Sequence, residues 1–398
     1  MNIVLYVHGF LPSLGGRQFV VHHLANALQE LGHAVRVLGP SGFFKHRNVG
    51  LPYPVHRWPT LRGFMKESVW MAQLALDTSL WGCDVIHAHS TYPSGYTAVR
   101  FKRTRQFPVV ITPHGGDIQT IPEMGHGLGL DPTMHSKIEY AVKGAEFVTA
   151  VSDDVVDRLV DAGANRDRVR LVRNGVDLER FDCPPSPQIR QWLGVEEDAR
   201  LLVTVGNYRP LKGQDYLVRA MPRILASEPR ARLVIIGRNT EALEGLITDL
   251  GLNGKVVLTG AITPPGTVLR ADGKAIGDQN PRDYLAEVLR SSELYVSAGV
   301  QKNAEGLSLA LLEAMAAGLP LVATAISGNT DVVRHDENGL LVEPANERSL
   351  AESATKILND ERLQARMAAK ARGTASRYAW VTVAREYLQV YDDAVAAV

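Results

Sequence analysis

Two carboxylates, Glu305 and Glu313, stand eight residues apart with only small or apolar residues between them, inside the stretch from Asn303 to Pro320. Glu305 lies in a loop beside Gly306, and Glu313 lies within a helix whose other residues are Leu, Ala and Met. Such a helix is buried, and a carboxylate on it is costly unless something polar meets it. Adjacent hydroxyls of a ligand would meet it through charge-assisted hydrogen bonds. A wet edge of the helix is the alternative, although Leu309, Leu311, Leu312, Ala314 and Met315 leave little room for one.

Other reactive residues lie where strands give way to helices. Gly206-Asn-Tyr-Arg209-Pro-Leu-Lys212-Gly213 follows an apolar strand, and two cations there would neutralise a departing diphosphate. The alternative is a pair of surface cations in a loop. Gly15-Gly16 opens a helix after the first strand and would let a phosphate approach the backbone closely. Gly9 stands six residues before Gly15, which is not dinucleotide-binding spacing, and there is no G-x-x-x-x-G-K-[ST] loop. Thr112-Pro-His114-Gly-Gly-Asp117 ends another strand. His114 is placed to hydrogen-bond a hydroxyl, and Asp117 to orient acceptor groups. His87 and His89 share a strand face, and with no third ligand in view they read as structural or acceptor-side, not as a metal site.

The elements behind these residues form two series. Strands at Asn2–Val7, 34–38, 84–88, 109–112, 147–151 and 169–172 alternate with helical segments. A second series has strands at 201–206, 233–236, 256–258, 294–296 and 321–323. This alternation implies parallel sheets covered by helices on both faces. Cys183-Pro-Pro-Ser-Pro187 suits a linker. Two doubly wound domains facing across a cleft are therefore expected, at 1–187 and 188–377. Residues 378–398 form an amphipathic helix with Trp380, Val383, Tyr387 and Tyr391 on one face. Asn174-Gly-Val-Asp177 reads as a turn before the linker, and the Gly- and Pro-rich stretch Gly260–Pro281 as an inserted loop.

At 398 residues with 45% hydrophobic and 22% charged content, the chain has the composition of an ordinary globular protein of two domains. No apolar run approaches the ~20 residues of a membrane span, and the N-terminus reads as a strand rather than a signal peptide. Cys83 and Cys183 form no C-x-x-C and fit a reducing cytoplasm. Net charge is zero, yet residues 1–110 carry 11 Lys or Arg against 4 acids. Several of these bases flank aromatics, as in Phe43-Phe44-Lys45-His46-Arg47, Arg57-Trp58, Arg62-Gly-Phe64-Met-Lys66 and Phe101-Lys-Arg103. Such a surface suits an anionic acceptor or peripheral contact with the inner face of an anionic membrane, and a solvated charged face is the alternative. No nucleic-acid module is present, so nucleic acid is not expected as a partner.

The Glu305/Glu313 spacing resembles the E-x7-E motif of retaining glycosyltransferases of family 4. Gly318-Leu-Pro-Leu-Val-Ala-Thr, Gly328 and Asn338-Gly-Leu-Leu-Val-Glu-Pro344 follow in the family's order. The resemblance spans nearly the whole chain and is densest from Gly206 to Pro344. It implies a GT-B fold with two Rossmann-like domains, the last helix crossing back to the first. It implies transfer of a sugar from a nucleotide diphosphate sugar, UDP first and GDP second, to a glycan, lipid-linked or small-molecule acceptor. Glu305, His114, Arg209 and Lys212 would then be catalytic. Gly15, Gly16, Arg209, Lys212, Gly306, Leu307, Ser308, Leu309 and Glu313 would bind the donor, with Glu313 at the ribose, and Asp117 and His89 would face the acceptor. No metal and no cofactor would be needed, and displacement would occur on the front face of the sugar. An epimerase or a non-catalytic sugar-nucleotide binder of the same architecture is the competing expectation.

Overall fold

The computed structural model describes residues 1–11, 15–41, 51–59, 66–105, 107–262, 282–301 and 306–398. The chain divides into two compact units. One comprises Met1–Gly175 together with Trp380–Val398, and the other lies between Val176 and Ala379.

The first unit is built on strands β1 (Asn2–Val7), β2 (Ala34–Ser41), β3 (Val55–Pro59), β4 (Val85–His89), β5 (Val109–Thr112), β6 (Phe147–Ala150) and β7 (Val169–Leu171), all parallel, in the order β3-β2-β1-β4-β5-β6-β7. β4, β5 and β6 are buried along their whole length, as expected of strands covered on both faces. The second unit has β8 (Arg200–Val205), β9 (Ala231–Ile236), β10 (Val256–Gly260), β11 (Leu294–Ser297), β12 (Leu321–Thr324) and β13 (Gly339–Val342), again parallel, in the order β10-β9-β8-β11-β12-β13. In both sheets the order reverses beside the first strand of the unit. Ligands of open α/β sheets bind outside the strand carboxyl ends at such a reversal.

Two strands go beyond the sequence reading. β3 has the sequence Val-His-Arg-Trp-Pro, which lacks an apolar run, and takes its place at the sheet edge by pairing with β2. β13 lies in the Asn338–Pro344 signature and pairs with β12. The division between the units falls between Gly175 and Val176, ahead of the prolines at 184–187. The reason is packing: Val176, Phe181, Ile189 and Leu193 belong to the hydrophobic core of the second unit.

The C-terminal helix is Trp380–Ala396, and it belongs to the first unit. Its Tyr391 hydroxyl lies 2.7 Å from His87 Nδ1, its Tyr387 hydroxyl lies 3.4 Å from Thr112 Oγ1, and Trp380 stacks on His23 with ring centres 5.5 Å apart. Val176 N–H donates to Tyr378 O at 2.7 Å, so the two chain segments that join the units run side by side. Among the described residues no helix is long and apolar enough to cross a membrane. Phe43–Arg47, Arg62–Met65 and most of the Gly260–Pro281 stretch lie outside the described residues.

Candidate active site

In the first unit the candidate residues gather after β1, β4 and β5. Gly15 leads into the helix Gly16–Glu30, which has no side-chain cap and no acidic residue in its first turn. Its leading N–H groups therefore lack protein partners from a cap, the condition that suits an anion. Arg17, which the sequence reading did not single out, donates from Nη2 to His8 O at 2.8 Å. Its guanidinium acts electrostatically on His89, His114 and Asp117. No motif announced it, because its partners come from three separate strand ends.

His114 and His89 meet directly, with His89 Nδ1 3.0 Å from His114 Nε2. Burial holds both imidazoles neutral, well below the usual histidine range, and Arg17 adds to the effect. His114 keeps partial exposure, whereas His89 is fully buried. His89, read from the sequence as structural or acceptor-side, has no exposed ring atom, and its polar contact is with His114. Asp117 is also buried. Its carboxylate accepts from His114 N–H at 2.9 Å and Thr91 N–H at 2.8 Å, so it holds the loop that carries His114. Burial raises its pKa, and those two backbone donors oppose the rise. His87 is occupied on both nitrogens, by Tyr391 and by Thr112 at 2.6 Å. Among the described residues no group of three His, Cys, Asp or Glu side chains is arranged to hold a metal ion.

In the second unit Arg209 and Lys212 flank the short turn Pro210–Lys212 after β8. Gly213 ends that turn at φ +63°, and a Cβ there would stand 1.9 Å from Ala298 O. Only glycine lets the loop lie this close to β11, which explains the Lys-Gly pair. The helix Leu309–Ala316 begins at Ser308 without a side-chain cap. The loop before it is fixed by Gly328, where a Cβ would come within 2.7 Å of Gly306 O and Leu307 N. Gly306, Leu307, Ser308 and Leu309 thus present a helix N-terminus backed by a glycine contact. Glu305 lies outside the described residues.

Glu313 sits one turn into that helix. Its neighbours Leu311, Leu312, Ala314 and Met315 are buried, but Leu309, Ala310 and Glu313 share a less buried side, so the helix is not enclosed all round. The polar partner required by its burial is Arg180, whose Nη1 donates to Glu313 Oε1 at 2.9 Å. Arg180 also forks onto Asp283 through Nε and Nη2, the latter at 3.1 Å. Asp283 in turn caps the helix Tyr284–Arg290 by accepting from Ala286 N–H at 3.0 Å. The three side chains keep only 14–20% exposure. Burial raises the Glu313 pKa even with Arg180 beside it, and the like charges of Asp283 and Asp177 add to the rise. Burial works against the charge of Arg180, yet these carboxylates outweigh it and raise its pKa. Neither Arg180 nor Asp283 was legible beforehand. Arg180 lies just past the Asn174–Asp177 turn, and its partners are more than a hundred residues away.

Comparison with known proteins bears on this arrangement. Residues 14–180 match the family model described as glycosyltransferase family 4, and residues 199–360 match that of glycosyl transferases group 1. The D-inositol 3-phosphate glycosyltransferase of a Nocardioides species is 31% identical over 330 residues, covering 79% of this chain and 68% of the relative. The chain belongs to glycosyltransferase family 4. This transferase is also 25% identical, over 96% of its length and 95% of the relative, to the N-acetyl-alpha-D-glucosaminyl L-malate synthase of Bacillus anthracis. Its fold matches that of Anabaena Alr3699/HepE, solved in complex with UDP, at a TM-score of 0.77 and 20% identity, covering 98% and 99% of the two chains. The transferase thus has the GT-B fold, with two Rossmann-like domains of seven and six parallel strands.

Proposed function

We propose that this transferase moves a sugar from a nucleotide diphosphate sugar to an acceptor hydroxyl with retention of anomeric configuration and without a metal ion. The observation that carries the reading is Glu313, held by Arg180 one turn behind the uncapped start of its helix. A pre-positioned carboxylate beside a helix N-terminus suits a ribose diol next to a diphosphate. Arg209 and Lys212 supply fixed positive charge for that diphosphate, the work a divalent cation would otherwise do. UDP is the first nucleotide to test and GDP the second.

In the proposed reaction the bond between the anomeric carbon and the β-phosphate oxygen breaks. The bond from that carbon to the acceptor oxygen forms on the same face, and the departing phosphate oxygen takes the acceptor's proton. Glu305 and His114 hydrogen-bond the transferred sugar, and Glu305 also opposes positive charge at the anomeric carbon. Two relatives carry the names of small hydroxylated anions, L-malate and D-inositol 3-phosphate. A small-molecule acceptor therefore comes ahead of a glycan or lipid-linked one. Contact of the basic stretch of residues 1–110 with an anionic membrane is a subsidiary proposal, to be read by vesicle co-sedimentation.

The test is thermal stabilisation by UDP, GDP, ADP, dTDP and their sugars in chelator-treated buffer, followed by product anomer analysis. A ligand that binds only the folded state raises the melting temperature by mass action. The expected result is a shift with one nucleotide family, absent in Glu313→Ala, and a product that keeps the donor's anomeric configuration. An inverted product, or a strict need for added divalent metal, would overturn the mechanism.

A further inference from the structure

Resting on the placement of His114 at the transferred sugar, the geometry points to His89 as a positioning residue that sets the tautomer of His114. We infer that His89 Nδ1–H donates to His114 Nε2, which leaves the His114 proton on Nδ1, free to donate to a sugar hydroxyl.

The argument starts from the far side of the His89 ring. Its Nε2 is buried and, among the described residues, meets no hydrogen-bonding atom. If His114 Nε2 carried the shared proton, His89 would have to carry its own on Nε2, as a buried N–H with no acceptor. Orphaned buried N–H groups are rare in folded proteins, and an unmatched acceptor lone pair is tolerated more readily. Among the described residues no neighbour supplies an acceptor to reverse the choice. His87 lies against His89 with ring centres 4.1 Å apart and planes tilted by 37°, but both of its nitrogens are engaged by Tyr391 and Thr112. Both Asp117 oxygens are held by backbone N–H groups. The nearby charge is the Arg17 cation, whose field favours a lone pair over an N–H and opposes a second proton on His89.

The other end of the pair completes the picture. With Nε2 accepting from His89, His114 is a neutral ring with one N–H, and it retains partial exposure. Its backbone is pinned by its own N–H bond to Asp117, so ring orientation and proton position are set from two sides. A histidine oriented this way offers a donor fixed before the sugar arrives, which is what electrostatic preorganisation requires.

The experiment uses the full chain labelled with 15N-histidine, read at neutral pH by long-range 1H–15N correlation. The His114 signals are assigned by their loss in His114→Gln. The expected result is a proton on His114 Nδ1 in the parent protein and a partial move to Nε2 in His89→Phe. Turnover in His89→Phe is expected to fall about 10²-fold with the donor KM nearly unchanged, the loss typical of one misdirected donor. His89→Gln, which keeps an amide N–H, should recover much of that turnover and covers the case in which the Phe variant fails to fold. A His114 protonated on Nε2 in the parent protein would overturn the assignment. So would full turnover in both His89 variants. Unchanged turnover in His114→Gln would instead overturn the placement of His114 at the sugar, a failure distinct from the tautomer reading.

Discussion

Replacing Arg180 by leucine tests the construction of the proposed donor site most sharply. The substitution keeps part of the aliphatic stem and removes the charged guanidinium, which sits 5.1 Å from the Phe181 ring centre. Glu313 and Asp283 are then left facing one another without their cation. Removing one partner of a buried ion pair costs about 3–5 kcal/mol. The 14–20% exposure of these groups argues for the lower end, about 3 kcal/mol. For a unit of this size that corresponds to a fall of roughly 6–12 °C in Tm. The pH dependence has a definite sign. Glu313 has a native pKa above its ordinary 4.5, so the folded state holds that proton more tightly than the unfolded chain. Its contribution to stability is therefore full below the ordinary value and declines as pH rises through the native one. Loss of Arg180 lifts the native pKa further, so the deficit of the variant relative to the parent should be larger at pH 8 than at pH 5. Urea unfolding at both pH values measures this, and titration calorimetry with UDP should show affinity about 10- to 100-fold weaker, the loss of one or two charged hydrogen bonds. A variant that unfolds at the parent's urea midpoint, or whose deficit is larger at pH 5, would refute the reasoning.

Three further outcomes follow from the same structure. Lys212→Ala should lower turnover by roughly 10²–10³, as removal of one charge-stabilising donor does, and an unchanged kcat would take Lys212 out of the site. Glu313→Ala should weaken donor binding by about 10- to 100-fold, seen by calorimetry, because a carboxylate–hydroxyl contact is lost. Burial pushes the Cys83 thiol up to about 12, so at pH 8 it should resist iodoacetamide in the folded protein and react only on unfolding, as read by peptide mass analysis.

Much of the fold was legible because the strands are short runs of Val, Ile and Leu bounded by Gly and Asn, and their order along the chain already implies parallel sheets. β3 escaped notice because an edge strand needs no apolar run, and its His56, Arg57 and Trp58 read as basic-aromatic surface. The break at Gly175 was missed because prolines at 184–187 look like a linker, whereas the local packing of Phe181 and Ile189 decides the matter. For the site, spacing singled out Glu313, Arg209, Lys212 and His114. Spacing could not name Arg180, Asp283 or Arg17, whose roles depend on which distant carboxylates and imidazoles the sheets bring within reach. It also could not tell that Asp117 and His89 face inward, since a polar residue at a strand end looks alike whether it meets a ligand or a backbone N–H.

The membership of Trp380–Val398 in the first unit makes that unit discontinuous, and this inverts the order in which the protein can be finished. During synthesis the second unit has all of its residues once Ala379 has emerged. The first unit, though begun earlier, still lacks Tyr387 and Tyr391, and until they arrive His87 and Thr112 have only part of their hydrogen bonding. The nascent chain therefore carries an unfinished half ahead of a finished one. The histidine layer beneath His114 therefore closes only when the helix Trp380–Ala396 has been made.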